Sequence, residues 1–196
     1  MTRGRLLTGT AILVGAVAVW WILFIAAPGL YRPRPQAETA QPQQTDGSAA
    51  QRKITATLFF IGQDGMSLET VQREVPFGDP VDEQARRIIE AQIAPPPDSL
   101  ASAVPAGVKL RALYVSERGE AFVDFSGEIT TQHTGGALDE LFTVYAVVNA
   151  LTVNLPAITR VQILIDGKEA DTLAGHVDLR RPLSKNLQWI KTDNPS

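Results

Sequence analysis

The chain has 196 residues with 18 basic and 21 acidic side chains, a net charge of −3, and no cysteine. That length suits one folded domain, and the missing cysteines exclude a disulfide framework, a thiolate metal site, a thiol nucleophile and a lipidated-cysteine anchor. Beyond residue 50 the balance is fourteen basic to nineteen acidic side chains, the wrong sign for a polyanion-binding domain, so no nucleic-acid partner is expected.

Leu6 to Ala27 carries no ionisable side chain. As a helix rising about 1.5 Å per residue it would span roughly 33 Å, enough to cross a hydrocarbon core of about 30 Å. A cleaved signal peptide has a shorter apolar region ending in a small-residue site, whereas here Ile25 and Pro28 flank the only candidate. Retention as a single transmembrane helix over 6–27 is therefore expected, with Trp20, Trp21 and Tyr31 suited to the interfaces. The arginines tie, two on each side of the segment. The short leading tail places residues 1–5 in the cytoplasm and the rest of the chain outside. Residues 28–52 hold four prolines and five glutamines; they cannot bury enough apolar surface to fold and read as a linker with a reach of roughly 25–30 Å.

From Lys53 the pattern changes. Ile54, Ala56, Leu58 and Phe60 alternate with Thr55, Thr57, Phe59 and Ile61, a strand of period two. Gly62 to Gly65 breaks it, and Leu68–Val75 reads as a more polar edge strand. Asp79-Pro80 predicts a helix start, with Asp79 as the cap and Pro80 in the first turn. Val81, Ala85, Ile88, Ile89 and Ile93 then form one stripe until Pro95-Pro96-Pro97 stops the helix near Ala94. Val108–Ser116 and Glu120–Ser126, joined by Glu117-Arg118-Gly119, read as a hairpin. Gly135-Gly136 precedes a second helix over Ala137–Asn154, apolar around more than half its circumference and so a buried spine. Its Val148 and Leu151 should pack against Ile163 and Val123. A last strand spans Ile158–Ile165 and ends at Asp166-Gly167.

The predicted fold class is α+β, with two helices packed on one face of a mostly antiparallel sheet, over residues 53–185. Residues 186–196 read as a C-terminal tail. Alternation leaves Phe59, Ile61, Leu113, Phe122 and Leu164 on the strand faces away from the helices, a candidate partner surface unless the tail covers them.

The chemical inventory is thin, with only His133 and His176 as histidines. His133 lies in a loop sequence where a solvated ring is the ordinary expectation. His176, Asp178 and Ser126 sketch a hydrolase triad, without a G-x-S-x-G turn to support it. Asp124, Glu128, His133, His176 and Asp178 show no metal-ligand spacing, and Gly62 to Gly65 lacks the Lys-Ser/Thr of a phosphate loop. No catalytic residue, cofactor or metal is expected. Asp124, Ser126, His176 and Asp178 remain an alternative polar cluster. Arg180, Arg181, Lys185 and Lys191 read as a solvated basic group near the tail.

Several segments together resemble the GerM-type (GerMN) domain of spore germination, sporulation and other bacterial envelope proteins. They are Leu58-Phe59-Phe60, Arg73, Ser102 to Val108, Val123-Asp124-Phe125-Ser126, Val147 to Thr152, Val161 to Lys168 and Gly175-His176-Val177-Asp178-Leu179. The match runs in one order over about 54–183, in a single copy. It departs at Ala94-Pro95, where Gly-Pro is common, and at Ala150, where Thr is common. The resemblance implies a compact domain on the outer side of the cytoplasmic membrane, similar to ring-building modules, with no catalytic residues to carry over. Two functions follow as expectations. One is a non-catalytic assembly module that associates with itself or with envelope proteins. The other is a cell-wall glycan-binding module or weak hydrolase at Asp124, Ser126 and His176, with peptidoglycan as its partner.

Overall fold

A computed structural model describes residues 52–97 and 99–191. The expected membrane span, most of the linker and the final five residues lie outside the described residues. Among the described residues no helix is long and apolar enough to cross a membrane.

The order is β1 (Lys53–Ile61), β2 (Leu68–Pro76), α1 (Val81–Ile93), β3 (Leu110–Val115), β4 (Glu120–Phe125), a short α2 (Glu128–Thr131), α3 (Ala137–Asn154), β5 (Arg160–Ile165), β6 (Lys168–Glu169) and β7 (Leu183–Ser184). The fold is α+β as predicted, but the strands form two sheets rather than one. β1 and β2 make an antiparallel hairpin, and the second sheet runs β3-β4-β5-β6 with β7 also on β5. β4 and β5 pair in parallel, which corrects the mostly antiparallel expectation for the centre of this sheet. The reason is the connection: α2 and α3 carry the chain from the end of β4 back to its start, and a crossover helix is how parallel neighbours are joined.

The spine helix spans 137–154 as predicted. Gly135 and Gly136 lead into it with φ of 84° and 90°, a backbone that side chains strongly disfavour. Ala146 to Thr152 are all buried. Leu151, Val148, Val123 and Ile163 are each 0–1 % exposed within a single core cluster. The inner face of the second sheet comes from register: Leu113 opposes Val123, which opposes Ile163, while Ala121 opposes Val161.

At α1 the expected cap is absent, because no side chain caps this helix. Gln84 takes over the connection instead. Its Oε1 accepts the Gly78 N–H at 2.8 Å and its Nε2 donates to the Pro76 carbonyl at 3.3 Å. A Cβ on Gly78 would lie 2.8 Å from the Gln84 nitrogen, so only glycine allows this approach.

The outer edge of β1 is closed by side chains. Gln92 is completely buried; its Oε1 accepts the Phe59 N–H at 2.9 Å and its Nε2 donates to the Phe59 carbonyl at 2.6 Å. Asn154 does the same at Thr57, at 2.8 and 2.7 Å. Ile61 and Ala101 exchange two backbone bonds. Each carboxamide thus presents one donor and one acceptor, as a neighbouring strand would, and the hairpin has no free edge from 57 to 61.

Candidate functional site

The second sheet's outer face carries Tyr114, Phe122 and Leu164. Tyr114 is 56 % exposed, Phe122 and Leu164 are half-buried, and the two rings lie 6.4 Å apart at 32°. Ion pairs border this apolar centre at both ends. Arg160 meets Glu120 at 2.8 Å, and Arg111 meets Asp124 at 3.1 Å and Asp166 at 3.6 Å.

The five residues expected on a partner surface do not share one face. Phe59 and Leu113 are buried, at 1 % and 8 %. Phe59 and Ile61 belong to the hairpin, with Ile61 half-buried. Leu113 points inward because the β3–β4 register shifts between Leu110 and Ala112. That irregularity sets Leu110 and Leu113 on the same face and turns Tyr114 outward, since one residue of slip exchanges the faces of a strand.

The polar cluster is likewise divided among separate partners. The Asp124 carboxylate accepts the Gly167 N–H at 2.7 Å and pairs with Arg111. Ser126 Oγ accepts the Lys109 N–H at 3.0 Å, and its hydroxyl is the main influence holding the Glu128 carboxyl below its ordinary value. Asp178 is gripped by the Arg180 guanidinium at 2.9 and 2.7 Å, which keeps its carboxyl below the usual carboxylate range. His176 Nδ1 lies 3.0 Å from Glu140. A triad needs one histidine between serine and carboxylate, and this histidine faces Glu140 while the serine faces Lys109 and Glu128. Among the described residues no three histidine or acidic side chains converge as metal ligands would.

His133 is half-buried rather than solvated. Its Nδ1 accepts the Gly135 N–H at 3.0 Å, so Nε2 carries the proton and donates to Thr143 Oγ1 at 3.2 Å. Thr143 in turn donates to the Ala103 carbonyl at 2.6 Å. The chain of bonds fastens the loop before α3 to the 102–105 segment beside a cleft of about 270 Å³.

Glu140, not singled out in the sequence reading, has a fully buried carboxylate. It accepts the backbone N–H groups of Leu173 at 2.8 Å and His176 at 2.7 Å. Burial alone would push this carboxyl up, but backbone hydrogen bonds from Ala174, His176, Leu173 and Val177 outweigh it and hold it below the ordinary value. A carboxylate with a depressed folded-state value contributes stability that is complete above its unfolded value, about 4.3, and is lost as pH falls through the lower folded value. The 173–177 loop should therefore stay closed from pH 7 to about 5 and loosen only below about 4. Loss of hydrogen-exchange protection at the Leu173 and His176 amides between pH 7 and 5 would contradict this. Its sequence signal is weak, because Glu140 follows Asp139 in the first turn of α3, where acidic side chains are ordinary.

The fold and site define a class: an α+β domain whose polar side chains are spent on holding loops and edges, with part of one outer sheet face left uncovered around Tyr114. The Germane family model, described as sporulation and spore germination, matches residues 57–171, more than half of the chain, and the chain belongs to that family. Among solved structures, the first GerMN domain of the sporulation protein GerM from Bacillus subtilis is 22% identical with a TM-score of 0.50, covering 68% of this chain and 96% of that one. The tandem GerMN domains of the same protein are 20% identical with a TM-score of 0.48, covering 69% of this chain and 46% of that one. A candidate lipoprotein from Clostridium perfringens is 25% identical with a TM-score of 0.49, covering 72% and 95%. No curated protein matches the chain. The resemblance drawn from the sequence is thus the family itself.

Proposed function

We propose that the chain is a non-catalytic assembly module of the bacterial cell envelope, working in a sporulation, germination or cell-wall-linked complex. In this reading residues 6–27 hold it in the cytoplasmic membrane as a single pass, 28–52 tether it, and the folded domain acts outside. Its partners are envelope proteins or further copies of itself. The observation that carries the proposal is the part of the outer face of β3, β4 and β5 that stays uncovered beside Gln162, which the segment at Leu179 buries. Tyr114, Phe122 and Leu164 form its centre, and paired charges at both ends leave the centre as the part that gains from being covered. Family membership supports the setting, and the uncharged 6–27 segment supports the anchor.

Phe122→Glu tests it, because a charge on this face obstructs burial against a partner without touching the core. In a deletion strain the variant should fail to complement while circular dichroism of the purified protein stays that of the parent. Full complementation by a folded Phe122→Glu protein, with loss instead in Ser126→Ala/His176→Ala, would move the working site to the polar cluster. External protease on intact spheroplasts should remove the domain and leave an anchored stub. A soluble protein starting near Pro28 would defeat the anchor.

A further inference from the structure

The two sheets differ in how their edges are finished. In the hairpin, β1 is closed by Gln92, Asn154 and Ala101, whereas β2 is guarded rather than closed. Residues 189–191, expected as part of a tail, occupy it only at Leu68, whose N–H donates to the Trp189 carbonyl and whose carbonyl accepts the Lys191 N–H, both at 2.8 Å. Beyond Leu68 it carries the ion pairs of Lys191 with Glu69 and Lys53 with Glu74 and ends in Pro76. Charges and proline of this kind discourage a further strand.

β3 is the edge strand of the second sheet, and from Leu113 to Val115 it has no such guard. Ser116 donates its N–H to the Glu120 carbonyl, so Ser116 and Tyr114 turn their backbone groups toward β4, as alternation in an antiparallel ladder requires. The N–H and carbonyl groups of Leu113 and Val115 therefore point away from the sheet, and among the described residues they have no hydrogen-bond partner. Between them Tyr114, 56 % exposed, stands on the outer face beside Phe122. The register shift lies before this stretch, between Leu110 and Ala112, so 113–115 is regular strand. Glu117, just past the strand, is exposed and makes no ion pair among the described residues.

We propose that β3 pairs antiparallel with β3 of a second copy about a two-fold axis at Tyr114, so that the two second sheets become one. The pairing rests on the assembly role proposed for this face and names its partner. The second copy is the occupant because this strand complements itself. With Leu113 of each copy opposite Val115 of the other, every outward donor and acceptor of the stretch is met, and the arrangement closes as a dimer. The same register sets Tyr114 against Tyr114 at a position without backbone bonds, where facing Cα atoms are about 4.5 Å apart and side chains are closest. It also brings Arg111 of each copy, whose side chain stays 43 % exposed beside Asp124, to the end where Glu117 of the other stands. Opposite charges thus meet at both ends of the joint.

The chain has no cysteine, so single-cysteine variants of the full-length protein, oxidised with copper phenanthroline in membranes of the complemented deletion strain, are the test. Tyr114→Cys should give a disulfide-linked dimer, because the Cα separation at the axis fits a disulfide. Phe122→Cys should not, since its two copies stand three strand spacings apart, about 14 Å. Adding Val115→Pro to Tyr114→Cys removes an N–H that only the second copy uses, on an edge where proline is tolerated. The dimer yield should then fall by about tenfold or more. Adding Glu117→Arg instead should lower the yield more at low salt than at high salt, and this arm decides alone should Val115→Pro unfold the chain. Tyr114→Cys without dimer, equal yields from Tyr114→Cys and Phe122→Cys, or a yield that neither added change lowers would each overturn the proposal. So would a dimer from Gln72→Cys alone, which would move the joint to β2. If Phe122→Glu fails to complement while Tyr114→Cys gives no dimer, the pairing with a second copy falls and the assembly role stands.

Discussion

Leu151→Ala should lower the urea midpoint of residues 51–196 sharply. Residues 50–196 form a compact unit of their own, and Leu151 is completely buried in the run Ala146 to Thr152. Truncating a buried leucine typically costs about 2–5 kcal/mol, through lost apolar transfer and a cavity that neighbours fill only in part. Against a typical stability of about 5–15 kcal/mol this is a large fraction. Leu187→Ala, at an exposed leucine, is the control and should move the midpoint little. An unaltered midpoint for Leu151→Ala would mean that α3 is not the spine of the core.

Gln92→Leu should be comparably damaging although it replaces a polar side chain with an apolar one of similar size. The gain in hydrophobicity is outweighed because the Phe59 N–H and carbonyl lose their partner in a site that excludes water. Each buried backbone group left unpaired costs about 1–3 kcal/mol, so the sum is about 2–6 kcal/mol. Gln72 supplies the comparison: it is exposed and bonds only the Thr57 hydroxyl, so Gln72→Leu should change stability by about 0.5 kcal/mol or less. The measurements are denaturant midpoints and the exchange rate of the Phe59 amide. If Gln92→Leu were as stable as the parent, the closure of the β1 edge by a side chain would be refuted.

Periodicity made the strands and helices legible. The second helix was placed at its observed ends because Gly135-Gly136 and a continuous apolar run mark it without ambiguity. Sheet membership was harder to read. Nothing local in β4 or β5 states that they are parallel neighbours, since that pairing depends on where the chain is carried by α2 and α3. Leu113 was placed on the wrong face because a register shift near Arg111 leaves no mark in an alternating pattern. The residues that organise the loops, Glu140, Asn149, Gln92 and Asn154, are individually ordinary polar side chains. Their roles appear only when a backbone 33 to 97 residues away is brought against them. By contrast, the family could be recognised from short segments, because those segments include core strands and the buried helix whose order is fixed.

The bond between Thr57 and Asn154 also bears on when this domain can form as it is made. Their separation is 97 residues, so the amino-terminal hairpin emerges long before the side chain that completes its edge exists. Until α3 has been synthesised, β1 is an incomplete two-stranded ribbon with unmet backbone groups, and contacts of such long sequence separation are slow to close. A nascent chain would therefore remain open until residue 154 has joined it. Under the proposed placement of the domain outside the membrane, that delay keeps the polypeptide in a form that can still be threaded across.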